Sequence, residues 1–121
     1  MVPFEAQQLC EGAVLVTVSG KLRGSSARQM GELLEDLAAE GARRVVIDLT
    51  ALTSLDSLAT MVLEESLGHG LKLHLVVRPG FEFDPFFRAR SLGRRGLRVH
   101  QSKDEAVARA RQIVDSGMVL V

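Results

Sequence analysis

The 121-residue sequence contains neither tryptophan nor tyrosine, and its only cysteine is Cys10. A single cysteine closes no disulfide within the chain and forms no cysteine-rich metal site by itself. The usual aromatic platforms for stacking single-stranded bases are missing, although five phenylalanines remain. No apolar run approaches the roughly 18 residues that span a bilayer, and the first residues do not form a secretory signal. We therefore expect a cytoplasmic domain without direct membrane insertion.

The sequence also lacks an excess of charge of either sign. Fifteen Lys and Arg residues balance fifteen Asp and Glu residues, so the formal net charge is zero and no nucleic-acid partner is predicted. One segment departs from this balance, because no acidic residue lies between Asp84 and Asp104. Its basic residues are Arg88, Arg90, Arg94, Arg95, Arg98 and Lys103. Two interpretations stay open: a solvated face balanced by acidic residues elsewhere, or a site for an anion or acidic partner.

Hydrophobic residues make up 46% of the chain, enough for one packed core. Their periodicity alternates between strand-like and helix-like stretches in the order β-β-α-β-α-β-α-β-α. This order predicts an α/β fold with a mostly parallel sheet and an N-terminal hairpin at one edge. We expect about five strands and four helices in a single domain spanning 1–121, with its core at about 12–115.

Capping residues predict where the helices begin. Ser26 and Gln29 have the spacing of a capping box for the first helix. The β-branched run 45–49 predicts a short buried strand, followed by a polar loop. Asp56 and Ser57 then provide caps for the second helix. Asp84 followed by proline predicts a short third helix carrying Phe86 and Phe87.

Catalytic patterns are missing. The three histidines, His69, His74 and His100, share no helical face at ligand spacing, which favours solvated or strand-edge positions over a metal site. Cys10 is interpreted as a small buried hydrophobe. No glycine-rich phosphate loop and no Gly-x-Ser-x-Gly nucleophile turn occurs. The sequence therefore predicts no enzyme activity, no metal and no cofactor.

Three stretches and their order resemble the STAS domain, the family of bacterial anti-sigma factor antagonists and of related transporter modules. The resemblance covers about 14–108, and the three stretches that carry it read Val18-Ser19-Gly20-Lys21-Leu22-Arg23, Val45-Val46-Ile47-Asp48-Leu49-Thr50 and Leu55-Asp56-Ser57-Leu58-Ala59-Thr60-Met61. The resemblance implies a protein partner of the anti-sigma factor or serine-kinase type. In that family the partner binds around the second helix start and the loop after the early strand. Phosphorylation of a serine there abolishes binding, because phosphate adds negative charge to the docking surface.

The resemblance also identifies departures from the family pattern. The usual phosphoacceptor position is Leu58, which has no hydroxyl, and the family's glycines are replaced by Ala59 and Met61. In the loop after the early strand, Arg23 stands where the family has an acidic residue. Ser57 is only a weak alternative acceptor, since we expect it to cap the helix. By resemblance, the expected partner-binding residues are Arg23, Ser54, Asp56, Ser57, Leu58, Ala59 and Met61.

The leading hypothesis is a non-catalytic regulatory interaction module without the usual serine phosphoswitch. One alternative is a STAS accessory subunit of an ABC-type lipid transporter, using the 88–98 basic cluster. The other is an anion- or nucleotide-binding domain that uses the helix N-terminus. The apolar, strand-like tail 118–121 leaves two options open: burial against its own domain, or edge pairing in a homodimer.

Overall fold

The computed structural model describes residues 4–83 and 96–119, with side chains described for 4–83 and 96–111. Five strands and three helices lie within these ranges. The strands are β1 (Phe4–Cys10), β2 (Ala13–Leu22), β3 (Arg44–Leu55), β4 (Lys72–Val76) and β5 (Leu97–His100). The helices are α1 (Ser25–Ala39), α2 (Ser57–Gly68) and α3 (Lys103–Val119). The predicted short helix at 84–87 lies outside the described residues.

The strands form one sheet in the order β1-β2-β3-β4-β5. β1 pairs antiparallel with β2 through a tight turn in which Gly12 has a φ of 83°, a conformation that glycine adopts without strain. The other three pairings are parallel. The α/β class, the mostly parallel sheet and the N-terminal edge hairpin predicted from the sequence are thus confirmed.

Helices cover both faces of the sheet, but unequally. α1 and α2 bury the larger core against one face, through residues such as Met30, Leu34 and Leu63. α3 covers the opposite face with Ala106 and Ala110, which pack on Leu15, Val46 and Val76. A central strand is therefore buried on both sides, which explains why the apolar residues Val45, Val46 and Ile47 follow one another without a polar residue between them.

Two local predictions need correction. The expected cap of α1 is wrong: Gly24 is its N-cap, with φ 54°, and no side chain caps the helix. Ser26 lies inside the helix, and its hydroxyl is bonded to the preceding loop instead. β3 continues to Leu55, because Ala51, Leu52, Ser54 and Leu55, in the segment expected to form a loop, pair with the end of β2.

The C-terminal tail also differs from the expectation of a strand. The backbone of Met118 and Val119 belongs to α3, whereas 120 and 121 lie outside the described residues. Among the helices described in 4–83 and 96–119, none is long and apolar enough to cross a membrane.

Candidate functional site

The candidate site lies where β2 and β3 end side by side. These strands are parallel, and Leu22 at the end of β2 pairs with Leu55 at the end of β3. Their carboxyl ends therefore meet at the same edge of the sheet, and α1 and α2 both begin there. Two segments far apart in sequence, 23–25 and 56–58, form one continuous surface as a result.

Asp56 makes three hydrogen bonds, two of which join the starts of α1 and α2. Its Oδ1 accepts from the backbone N–H of Ala59 at 2.9 Å, which caps α2. Its Oδ2 accepts from the N–H of Gly24, the N-cap of α1, at 3.0 Å. Its own N–H donates to the carbonyl of Leu22 at 3.3 Å. The predicted capping by Asp56 is confirmed, whereas capping by Ser57 is wrong, because Ser57 is the first residue of α2.

The surroundings of Asp56 favour its ionised form. Burial acts to raise the pKa of the carboxyl, but it is outweighed by the hydrogen bonds from Ala59 and Gly24, by the nearby Arg23 guanidinium and by the backbone N–H of Asp56 itself. The net result is a pKa lower than the usual value of 3.8. The α2 N-terminus therefore already holds a carboxylate, and this charge disfavours the binding of a second anion there.

A serine hydroxyl fixes the loop that carries Arg23. The Oγ of Ser26 accepts from the N–H of Arg23 at 2.9 Å and lies 2.9 Å from the carbonyls of Lys21 and Arg23. Gly24 supplies the positive φ that turns the chain into α1. The Arg23 side chain is exposed beside Asp56.

The residues expected to bind a partner differ in exposure. Ser57 is exposed, Leu58 is half-buried, and Met61 is 49% exposed, which makes it one of two exposed large hydrophobic residues among those described. The Ala59 side chain is fully buried, so it supports the surface from below. Ser54 is half-buried, and its hydroxyl forms no hydrogen bond within the described part of the chain.

A groove between α1 and α2 continues this surface and was missed in the sequence. Its volume is about 270 Å³, and Leu58 and Met61 line it together with Gly31 and Val62. Glu32, Glu35, Glu65, Arg28 and His69 are further lining residues. The sequence does show that the acidic residues of α1 lie outside its apolar stripe. It does not show that these residues face α2, because the stripe does not identify the neighbouring helix.

The opposite face of the sheet holds a histidine pair. His74 is buried, and its Nδ1 lies 3.1 Å from Nε2 of His100. Nδ1 of His100 lies 3.8 Å from a carboxylate oxygen of Glu105. Burial and the positive charges of Arg44, Arg98 and Arg109, together with His100, lower the pKa of His74 from 6.5 to about 4. The expectation of a solvated or strand-edge position is therefore wrong for His74.

The described side chains do not assemble a metal site, since in 4–83 and 96–111 no three His, Cys, Asp or Glu residues are grouped to hold an ion. Cys10 is half-buried at the end of β1 and forms no disulfide. What the site at the two helix starts offers is a fixed, partly apolar surface.

Comparison with known proteins places these features in a family. No curated protein sequence matches the chain. The unphosphorylated form of the anti-sigma factor antagonist SpoIIAA is similar in structure, with a TM-score of 0.69 at 15% identity, covering 89% of this chain and 97% of that one. An anti-sigma factor antagonist from Mycobacterium paratuberculosis gives 0.69 at 18% identity, covering 89% and 92%.

A glutamate-for-serine variant of RsbS from Moorella thermoacetica gives a TM-score of 0.65 at 20% identity, covering 93% of this chain and 97% of that one. At these identities the three structures establish the shared fold. The sequence model of the STAS domain matches residues 6–77, more than half of the chain, and confirms the resemblance found in the sequence. The chain therefore belongs to the STAS domain family.

Proposed function

We propose that this protein is a non-catalytic regulatory module that binds a protein partner through a docking surface formed by Arg23, Ser57, Leu58 and Met61. The observation that carries the proposal is the position of Met61, a half-exposed apolar side chain on the first turns of a helix whose start is fixed by Asp56. An exposed apolar residue on a rigid element is the kind of anchor that contributes most to protein–protein binding.

The structural relatives support a regulatory role. Two of them are described as anti-sigma factor antagonists, and SpoIIAA is known in unphosphorylated and phosphorylated forms. We propose a partner of the same kind for this chain, an anti-sigma factor or serine kinase. Arg23 on the docking surface favours a partner with an acidic or polar group opposite it, beside an apolar patch that receives Leu58 and Met61.

We further propose that binding is permanent rather than switched by phosphate. Leu58 occupies the family's phosphoacceptor position and offers no oxygen to a kinase. Ser57 is exposed, but a phosphate there would lie one residue from the ionised carboxylate of Asp56. Like charges this close oppose the modification, although the helix N-terminus by itself favours it.

The test uses two matched substitutions. Met61 and Val99 are the exposed large hydrophobic residues of the described chain, at 49% and 39% exposure, and they lie on different elements. We expect Met61→Asp to reduce recovery of a specific partner at least tenfold in affinity purification from the native cell, while Val99→Asp leaves it unchanged. Titration of the purified partner then gives both affinities.

Retention of the partner by Met61→Asp at wild-type affinity contradicts the proposed surface. Intact-mass spectrometry of protein from the same cells tests the absence of a switch. We expect the unmodified mass, and stoichiometric phosphate on Ser57 contradicts permanent binding. Conversion of a metabolite by the purified protein contradicts the non-catalytic role.

A further inference from the structure

We infer that the groove between α1 and α2 binds a basic amphipathic helix of the partner protein. This inference rests on the proposed function, because the groove shares Leu58 and Met61 with the docking surface. It adds the chemistry of the partner: aliphatic residues on one side of a helix, with arginine or lysine residues on its flanks.

The floor of the groove is apolar because the two helices approach closely. A methyl group built on Gly31 of α1 would lie 3.3 Å from Cγ1 of Val62 on α2, so the glycine lets the helices meet. Leu58 and Met61 line the groove on the α2 side. An aliphatic side chain inserted here would cover the exposed part of Met61 and remove apolar surface from water.

The walls of the groove are acidic. Glu32 and Glu35 line it from α1, and Glu65 lines it from α2. Glu32, Glu35 and Glu65 form no ion pair with any residue in the described part of the chain. Arg28 is the one arginine or lysine among the lining residues, so carboxylates outnumber such cations three to one.

These features favour a helix over a small molecule. Ligand pockets usually enclose about 300 to 1,000 Å³, and the 270 Å³ here lies in an open cleft between two helices. A partner helix places apolar residues three and four positions apart along such a cleft. Basic residues on its flanks would reach carboxylates on both walls, which gives complementary charge across the contact.

The experiment uses two synthetic 18-residue peptides as probes. Both carry leucine at helical spacing on one face; one has arginine on its flanks, and the other has glutamate at the same positions. Isothermal titration into the full-length chain gives the two affinities. We expect the arginine peptide to bind at least tenfold more tightly than the glutamate peptide.

A matched pair of double variants identifies the site. Glu32→Gln with Glu65→Gln removes one carboxylate from each wall, and we expect it to weaken arginine-peptide binding at least tenfold. Glu11→Gln with Glu40→Gln removes two exposed carboxylates outside the groove, and we expect no change. Circular dichroism confirms that both variants are folded.

Equal weakening by the two double variants shows general charge attraction and overturns the inference. A concentration-dependent dimer that only the groove variant abolishes also overturns it, because the occupant is then a second copy. The native partner separates the two proposals. If Met61→Asp loses that partner while the groove variant keeps it at full affinity, the proposed function stands and the groove inference fails; if Met61→Asp keeps it, the proposed function fails.

Discussion

The buried histidine on the sheet face under α3 makes folding stability depend on pH in a defined window. The pKa of His74 is lowered from 6.5 to about 4 because burial disfavours the charged ring, and because His100, Arg44, Arg98 and Arg109 add positive charge around it. Between these two values the unfolded chain binds a proton on His74 that the folded chain does not bind. The free energy of unfolding therefore falls as the pH falls below 6.5.

The size of the effect follows from the two pKa values. At about 1.4 kcal/mol for each pH unit, the interval from 6.5 to about 4 corresponds to about 3 kcal/mol. Most of this loss, about 2 to 3 kcal/mol, is already present at pH 4.5. Above pH 6.5 the His74 ring is neutral in both the folded and the unfolded chain, so its titration does not lower the free energy of unfolding there.

Urea unfolding at pH 7.5 and pH 4.5 measures this contribution, with His74→Asn as the perturbation. The amide of asparagine places a polar atom near the position of Nδ1, which faces His100, but it does not titrate. We expect the wild-type chain to lose about 2 kcal/mol more than this variant between the two pH values. Carboxylates elsewhere contribute to both proteins, so their effect cancels in the difference.

A second substitution separates His74 from its partner. The amide of His100→Gln can occupy the place of Nε2, so it keeps a polar neighbour for His74 while removing the imidazole ring of His100. We expect most of the pH dependence to remain, slightly reduced by the loss of one positive neighbour. If wild type and His74→Asn lose the same free energy within about 0.5 kcal/mol, His74 is not the group responsible.

Two further predictions concern the candidate site. Asp56→Ala removes the cap of α2 and the acceptor of the Gly24 N–H, so urea unfolding at pH 7 should show a loss of about 1 to 2 kcal/mol, of which Asp56→Asn recovers part. Because the pKa of Asp56 is lowered, the benefit of its charge should be present above pH 3.8 and disappear below it. Gly24→Ala forces a methyl-bearing residue to φ 54° and should lower the thermal midpoint, at a cost of about 1 kcal/mol. Gly68 at the end of α2 has no positive φ and has open space around it, so Gly68→Ala should leave the thermal midpoint unchanged or raise it. If Gly24→Ala and Gly68→Ala lower the thermal midpoint equally, the backbone argument is refuted.

Hydrophobic periodicity was enough to predict the class and the sheet. The alternation at Val14, Val16 and Val18 predicted an early strand, and the run 45–49 predicted a buried one; both lie within observed strands. The extent of β3 was not predictable in the same way. Its second half, 50–55, has three hydroxyl side chains that suggest a loop, and it forms a strand because β2 extends alongside it to Leu22.

The candidate site was predicted only in part, because sequence spacing locates helix starts but not their neighbours. Asp56 was identified as a cap from its position before an apolar run. Its bond to Gly24 spans 32 residues and depends on the parallel pairing of β2 and β3, which no local pattern encodes. His74 was misjudged for a related reason: the polar face of β4 is covered by α3, a helix that follows it by 27 residues or more.

The placement of Asp56 has a mechanical consequence for the proposed docking surface. A single carboxylate holds the starts of both helices, so the Arg23 loop and the Leu58–Met61 turn are fixed relative to each other before any partner arrives. Preorganisation of this kind reduces the entropy that binding would otherwise cost. Under the proposed function the surface needs no hydroxyl at position 58 to keep its shape, because its geometry depends on Asp56, whose three hydrogen bonds are all present with Leu58 at that position. We therefore expect Asp56→Ala to weaken partner binding through the loss of this fixed geometry, even though its exposed neighbours remain unchanged. Asp56→Asn, which keeps an acceptor oxygen for one of the two helix starts, should weaken binding less, and equal partner affinity of wild type and Asp56→Ala would contradict the argument.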